Sequence, residues 1–243
     1  MIRETIARKE IGKKNDFRWR GAEVLRIEGF SDAVFAFALT LLVVSLEVPK
    51  TFNELLITMK GFAAFAICFT LLIFLWYEHY KFFRRYGLDD PFTITLNSVL
   101  LFVVLFYIYP LKFVFTLVIG QLLGIVPHHN ISEPVLNSGQ SQALMAIYGG
   151  GYLAVFLLFA LLYYHALGKK EALSLTNIEV HDTKTSISGN MIHVCVASLS
   201  ILIAIIGGNR LANWAGFTYF LLGPALTIHG TVRGRERRKL EML

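Results

Sequence analysis

Cysteine is nearly absent: Cys68 and Cys195 are the only two in 243 residues, and both fall in apolar stretches. A disulfide framework is therefore not expected, and the compartment cannot be read from redox chemistry; their default use is as small core hydrophobes. Charge is also scarce, at 16% of residues against 55% hydrophobic, with a mean hydropathy of +0.57. A soluble globular domain carries roughly a quarter of its residues charged, so this composition belongs in lipid. The patterns of catalysis are missing as well. There is no H-E-x-x-H zinc motif and no nucleophile–base constellation, so no enzyme and no cofactor are expected. The first 25 residues are charged and lack an apolar core, which argues against a secretory signal peptide. Finally, there is no T-V-G-Y-G potassium filter. The run Tyr148-Gly149-Gly150-Gly151-Tyr152 sits among helix-compatible apolar residues and reads as a place where helices approach closely.

What the chain has in quantity is long apolar runs. A helical crossing of the hydrocarbon core takes about 20 apolar residues, and runs of that size extend roughly over 30–48, 55–77, 92–118, 143–167, 187–206 and 212–228. The last two are separated only by Gly207, Gly208, Asn209 and Arg210, which requires a very tight turn; a re-entrant hairpin is the alternative there. Nineteen of the 23 Lys and Arg fall before the first run, in the second and fourth connections, and in the tail, against Lys50 and Arg210 on the other side. The positive-inside rule places those segments, and both termini, in the cytoplasm. An even number of crossings follows, so the expected fold is an all-α integral membrane protein with six transmembrane helices. Topology alone accounts for the basic residues, and no nucleic-acid partner is expected.

The expected organisation is a cytoplasmic N-terminal arm over residues 1–29, a six-helix transmembrane domain over 30–229, and a basic cytoplasmic tail over 230–243 in the cell inner membrane. His128 and His129 lie in the longest non-basic loop and read as solvated residues, because no further ligands stand at a metal-binding spacing. His165 and His193 lie in apolar runs without a carboxylate at helical spacing and read as hydrogen-bonded core histidines. The first run has no second copy in the chain, so a pore built of several such helices needs several chains, that is, a homo-oligomer.

The most informative stretch is Arg26-Ile27-Glu28-Gly29-Phe30-Ser31-Asp32 followed by Ala33 to Val48, which places charge at the mouth of an apolar span. Charge at that depth is costly and marks function. At about 100° per residue, one face of this helix collects Phe30, Ala33, Phe37, Thr40, Leu41, Val44 and Val48, while Ser31 and Asp32 turn away from it. Ser and Asp are good N-caps, yet capping leaves unexplained the polar groups that the topology brings to the same level, Trp76, His79 and Asn97. A buried network among these residues is expected to fix the helix's orientation.

The pattern R-x-x-x-F-S-D at Arg26, Phe30, Ser31 and Asp32, continuing through Ala33-Val34-Phe35-Ala36-Phe37-Ala38-Leu39-Thr40-Leu41-Leu42-Val43-Val44, closely resembles the prokaryotic members of the transmembrane protein 175 family of potassium channels. The resemblance extends to Trp76, His79 and Asn97. It implies a homotetramer whose four first helices surround the pore, passive potassium-preferring conduction of monovalent cations, and no carbonyl-lined filter. It further implies a hydrophobic constriction at Phe37, Leu41 and Val44, with a hydroxyl layer at Thr40 that a permeant potassium ion would meet only in transit; no resident metal is implied. Phe37 and Val44 depart from the family, which usually has Ile or Leu at the first of these positions and commonly Leu at the second.

A helix whose carbonyls are occupied in its own ladder offers an ion only side chains. Rings of Phe37, Leu41 and Val44 would gate by dewetting, and Thr40 would replace part of a hydration shell. Glu47 would concentrate cations at the outer mouth or stand as a solvated interface carboxylate. The rival reading is a secondary ion- or proton-coupled transporter in which Asp32, His79 and Asn97 bind the ion; it would favour inverted repeats or interrupted helices, and the sequence shows neither.

Overall fold

A computed structural model describes residues 17–21, 23–44, 50–122 and 139–242. Glu47, Val48, His128 and His129 lie outside the described residues, as does most of the N-terminal arm. Among the described residues every regular element is helical: α1 (Arg26–Val44), α2 (Phe52–Tyr86), α3 (Pro91–Leu122), α4 (Gln140–Gly168), α5 (Asn177–Ala215), a 3-10 segment (Gly216–Leu221) and α6 (Leu222–Glu241). Among the described residues, four helical stretches are long and apolar enough to cross a membrane, against the six expected from the sequence: 61–86, 91–122, 140–168 and 177–208.

The boundaries follow from local chemistry. Gly87 ends α2 with φ +59 while its N–H donates to the Phe83 carbonyl at 2.8 Å, a left-handed stop that favours glycine. Asp90 starts α3 by accepting from the Phe92 and Thr93 backbone N–H groups, with Pro91 in the first turn, where a missing N–H costs nothing. At the head of α5, Thr176 and Glu179 satisfy each other's backbone N–H groups in a reciprocal cap. Several helices outrun the apolar runs. The 35 residues of α2 span about 52 Å at 1.5 Å per residue, well over a hydrocarbon core of about 30 Å.

The sixth apolar run is not one regular helix. It comprises the end of α5, the 3-10 segment and the first turns of α6. The chain breaks at Gly208, with φ 55 and ψ −157, and then returns antiparallel along α5. Ser200 Oγ donates to the Ala215 carbonyl at 2.8 Å, Ser188 Oγ meets His229 Nε2 at 2.7 Å, and Arg237 Nε reaches Asp182 at 3.2 Å. These pairs centre on the break, so the returning segment runs back beside α5 to the level at which α5 began.

The core lies among α2, α3, α4 and α5, with Phe82, Leu100, Leu162 and Tyr163 fully enclosed. The glycine run on α4 is a contact device. A Cβ on Gly149 would lie 2.7 Å from Ile201 of α5, and one on Gly151 would collide with the Tyr107 ring of α3. The helix α1 packs against α2 and α3 at one side of this body.

Candidate functional site

Glu28, Ser31, Phe35, Ala38 and Leu42 of α1 are buried against the body, and their alternating spacing of three and four residues makes one helical stripe. Gly29, Phe30, Asp32, Ala33, Ala36, Phe37, Thr40 and Val43 are exposed in the single chain. Phe37 is 57% exposed, as are several phenylalanines on the outer faces of α2 and α3. Leu41 is half-buried at the edge of the bare face. For Val44 only the backbone position, in the last turn of the helix, is described. The bare face is therefore lined mainly by small residues, with Phe37 as its one large mid-helix group and Thr40 as its one hydroxyl. The Thr40 hydroxyl donates to the Ala36 carbonyl at 2.9 Å, an ordinary local bond for a helical threonine.

The opposite face is tied down by a directed chain of hydrogen bonds. His79 Nε2 meets Asn97 Oδ1 at 2.9 Å, Asn97 Nδ2 donates to Ser31 Oγ at 2.9 Å, and Ser31 Oγ donates to the Ile27 carbonyl at 2.7 Å. With the imidazole proton on Nε2, each of these bonds has one donor and one acceptor. All three side chains are buried: Ser31 at 0%, Asn97 at 1% and His79 at 2% exposure. Phe35 and Phe83 pack their rings against the imidazole at 5.6 and 4.6 Å between centroids. The arrangement joins α1, α2 and α3 at one level, where a polar group without a partner would be expensive.

Asp32 stands apart from this chain. It is exposed, on the flank between the buried stripe and the bare face, and accepts from Trp76 Nε1 at 2.8 Å. Ser31 and Asp32 thus do not share a direction, because successive residues diverge by about 100°. Arg26, in the first turn, and Phe30, which is 65% exposed, have no partner in either set of bonds. Of the seven residues grouped in the sequence, the structure brings Ser31, His79 and Asn97 together, pairs Asp32 with Trp76, and leaves Arg26 and Phe30 outside.

Two further anchors were not legible in the sequence. Lys112, inside α3, donates to the Leu42 carbonyl at 3.2 Å, holding the far end of α1. At the near end, Arg20 forms a two-pronged pair with Glu179 at 2.9 and 2.8 Å and donates to the Leu173 carbonyl at 2.8 Å. Arg84 donates to the Gly21 carbonyl at 2.6 Å, and the Arg84 carbonyl accepts from the N–H groups of Arg20 and Gly21. A Cβ on Gly21 would lie 2.8 Å from the Phe83 carbonyl, so only glycine passes there. Thr176-x-x-Glu179 signals a helix start, but nothing in the sequence assigns Arg20 to that carboxylate 159 positions away.

Elsewhere, His165 meets Asp90 at 3.0 Å beside Lys169, also 3.0 Å from Asp90. Burial raises the Asp90 pKa, but the bonds from Thr93, Lys169 and His165 outweigh it and hold the carboxyl well below the usual aspartate range. His193 meets the Tyr152 hydroxyl at 2.6 Å. Among the described residues no cluster of three or more His, Cys, Asp and Glu side chains suits a metal ion.

Comparison with known proteins points in one direction. A family model described as the endosomal/lysosomal potassium channel TMEM175 matches residues 26–107, the interval holding the bare face of α1 and the whole Ser31–Asn97–His79 chain. A potassium channel of Marivirga tractuosa is 41% identical over 236 residues, covering 95% of this chain and 96% of that protein. A potassium channel of Chamaesiphon minutus is 29% identical over 153 residues, covering 60% of this chain and 66% of that one. Among solved structures, a crystal structure of a variant of the potassium channel MtTMEM175, in complex with a nanobody–MBP fusion protein, superimposes with a TM-score of 0.80 at 42% identity, covering 93% of this chain and all of that one.

Proposed function

The chain belongs to the TMEM175 family and is a passive potassium channel; on that premise we propose that four copies assemble around a central axis with the bare face of α1 lining the pore. The observation that carries this reading is the contrast between the two faces of α1. One is bonded at both ends and buried, and the other leaves Ala33, Phe37 and Thr40 exposed among the described residues. Small residues on that face let four helices approach closely.

Such a pore has no backbone filter, because the α1 carbonyls are spent in the helix. The constriction is formed by side chains, with Phe37 the bulkiest of the bare-face groups and Leu41 and Val44 completing the apolar layers. These rings exclude water until they part, which makes a dewetting gate. Thr40 supplies the oxygen. Its proton is given to Ala36, so its lone pairs remain for a cation, and four such oxygens compensate part of the dehydration. The resulting preference for potassium over sodium is modest and set by pore width and dehydration cost.

We place both termini in the cytoplasm and the channel in the cell inner membrane, with six crossings per subunit. Supporting this are the one-sided distribution of Lys and Arg and the antiparallel return of the chain after Gly208, which carries the tail back to the level at which α5 began.

The test uses thiol accessibility in liposomes carrying a potassium gradient, in a Cys195→Ala background because that thiol is exposed. In the variants Phe37→Cys and Thr40→Cys, a small cationic thiol reagent is expected to stop potassium flux. In Leu42→Cys, at a position that is 1% exposed, it is expected to do nothing. Flux unaffected by modification at both Phe37→Cys and Thr40→Cys removes this face from the pore.

A further inference from the structure

The returning helix α6 ends in a basic stretch, and the structure sorts its arginines into two sets. Arg233 and Arg237, about one turn apart, face inward. Arg233 donates to the Thr185 hydroxyl at 3.0 Å and to Glu236 at 2.8 Å, and Arg237 donates to Asp182 at 3.2 Å and to Glu241 at 2.6 Å. Arg235 and Arg238 face the other way, are exposed, and pair with no carboxylate among the described residues. They stand at one end of a groove of about 440 Å³ in the outer face of α6, with Leu226 at its other end, Thr231 along its side and Gly230 and Gly234 in its floor. A glycine inside a helix is destabilising relative to alanine. A Cβ on Gly230 or Gly234 would meet nothing within 4 Å, so neither makes room for a described part of this chain.

The groove also lies at a particular depth. The contact between Ser188 and His229 puts His229 at the level where the apolar run of α5 begins. At 1.5 Å per residue, Leu226 lies about 4 Å to the apolar side of that level, and Arg235 and Arg238 lie about 9 and 14 Å to the polar side. Long arginine side chains reach back over such distances toward the headgroup layer. The same outer face grades from exposed Ile228 and Val232 to the two arginines, while α6 packs inward on α5 and the 3-10 segment. From the two outward arginines, the open glycine floor and the position across the hydrocarbon boundary, we propose that this groove binds an anionic phospholipid of the adjacent leaflet. Arg235 and Arg238, three residues apart and so neighbours on the helix, take the phosphate, which suits the guanidinium fork. The glycerol backbone lies over Gly230 and Gly234, and an acyl chain passes Leu226. The Thr231 hydroxyl is given to the Ile228 carbonyl at 2.8 Å, so the arginines supply the donors. Glu236 and Glu241 are spent on Arg233 and Arg237, which leaves neither to attract the amine of a zwitterionic lipid.

Native mass spectrometry of the purified full-length channel makes the test, with phosphatidylglycerol and phosphatidylcholine of identical acyl chains titrated in turn and bound lipids counted. Phosphatidylglycerol is expected to saturate at about one per subunit and to bind about 25-fold more tightly than phosphatidylcholine, about five-fold for each arginine, the usual worth of one basic side chain at an anionic surface. The double variant Arg235→Gln/Arg238→Gln should lose that preference. Lys170→Gln/Lys184→Gln removes the same charge from two other exposed positions and should keep it. Gly230→Leu/Gly234→Leu fills the groove with a better helix former, so α6 persists while saturable phosphatidylglycerol binding disappears. Equal affinity for the two lipids in the unsubstituted channel, or an equal loss in the lysine and arginine pairs, would overturn the assignment. So would a changed number of subunits in the glycine pair with lipid preference intact, which would give the groove to a contact between chains.

Discussion

Asn97 is the hinge of the bonds that orient α1, and its replacement by leucine gives the sharpest test of that role. The substitution keeps the branching at Cγ and the heavy-atom count while removing both the acceptor for His79 and the donor to Ser31, each at 2.9 Å. Polar contacts between membrane helices are worth about 0.6 kcal/mol on average and about 1.7 at most, because the unfolded chain in lipid also finds partners. Here the loss is larger than an average contact. Ser31 keeps its bond to Ile27, but the His79 N–H is left in a site that is 2% exposed, and an unsatisfied buried donor costs about 1–3 kcal/mol. A total of about 2 kcal/mol lowers the melting temperature of a chain this size by about 4–8 °C. Thermal unfolding of the purified channel measures the shift, and liposome flux should fall with it as α1 loses its fixed rotation. The added substitution His79→Phe removes the orphaned donor, so the double variant should be more stable than the sum of the single losses predicts. A melting temperature within a degree of the unsubstituted channel, with unchanged flux, would show that these bonds do not hold the helix.

Thr40→Val retains shape and removes the one hydroxyl on the bare face; potassium flux should drop and the potassium-to-sodium preference should weaken, read as reversal potentials in mixed salts, with stability altered by less than about 0.5 kcal/mol as expected at an exposed position. Phe37→Ala should raise flux and lower selectivity together, since it shortens the bulkiest side chain on that face; an unchanged single-channel conductance speaks against a constriction there. Arg20→Ala leaves Glu179, which is 3% exposed, without its guanidinium, and should cost about 3 kcal/mol and expose the segment before α1 to protease, whereas Arg20→Lys should recover only part because an ammonium lacks the fork. The depressed Asp90 pKa means that its carboxylate stabilises the fold above the ordinary aspartate value and ceases to as pH falls toward the folded value; the stability gap between the unsubstituted channel and Asp90→Asn should therefore be widest at neutral pH and narrow below about pH 4.

Much of this was legible because membrane helices obey few rules. Apolar length marked the four stretches that the structure shows as long apolar helices, and the Gly207-Gly208 pair marked the break that the structure places at Gly208 with a positive φ. The glycine run on α4 was correctly read as contact chemistry, since a Cβ on Gly149 or Gly151 meets Ile201 or Tyr107. Helix ends were less legible because hydropathy reports lipid contact and not hydrogen bonding: α2 continues through Glu78, Lys81, Arg84 and Arg85, and α5 begins at its Thr176 cap ten residues before the apolar run. Within the site, helical periodicity separated the buried Ser31 from the bare Phe37 and Thr40, but it placed Asp32 with Ser31. Adjacent residues cannot share a direction on a helix, so one polar pair must divide, and the structure divides it between Asn97 inside and Trp76 at the edge. The anchors at Arg20 and Lys112 were silent for a different reason. A guanidinium meeting a carboxylate 159 positions away, or an ammonium meeting a backbone carbonyl 70 positions away, leaves no periodic trace in the sequence. These unannounced bonds seize α1 near both ends, and the Ser31–Asn97–His79 chain fixes its rotation between them. A helix held at both ends and along one face has only its bare face left to offer, and in the proposed assembly the neighbouring subunits supply the rest of the wall.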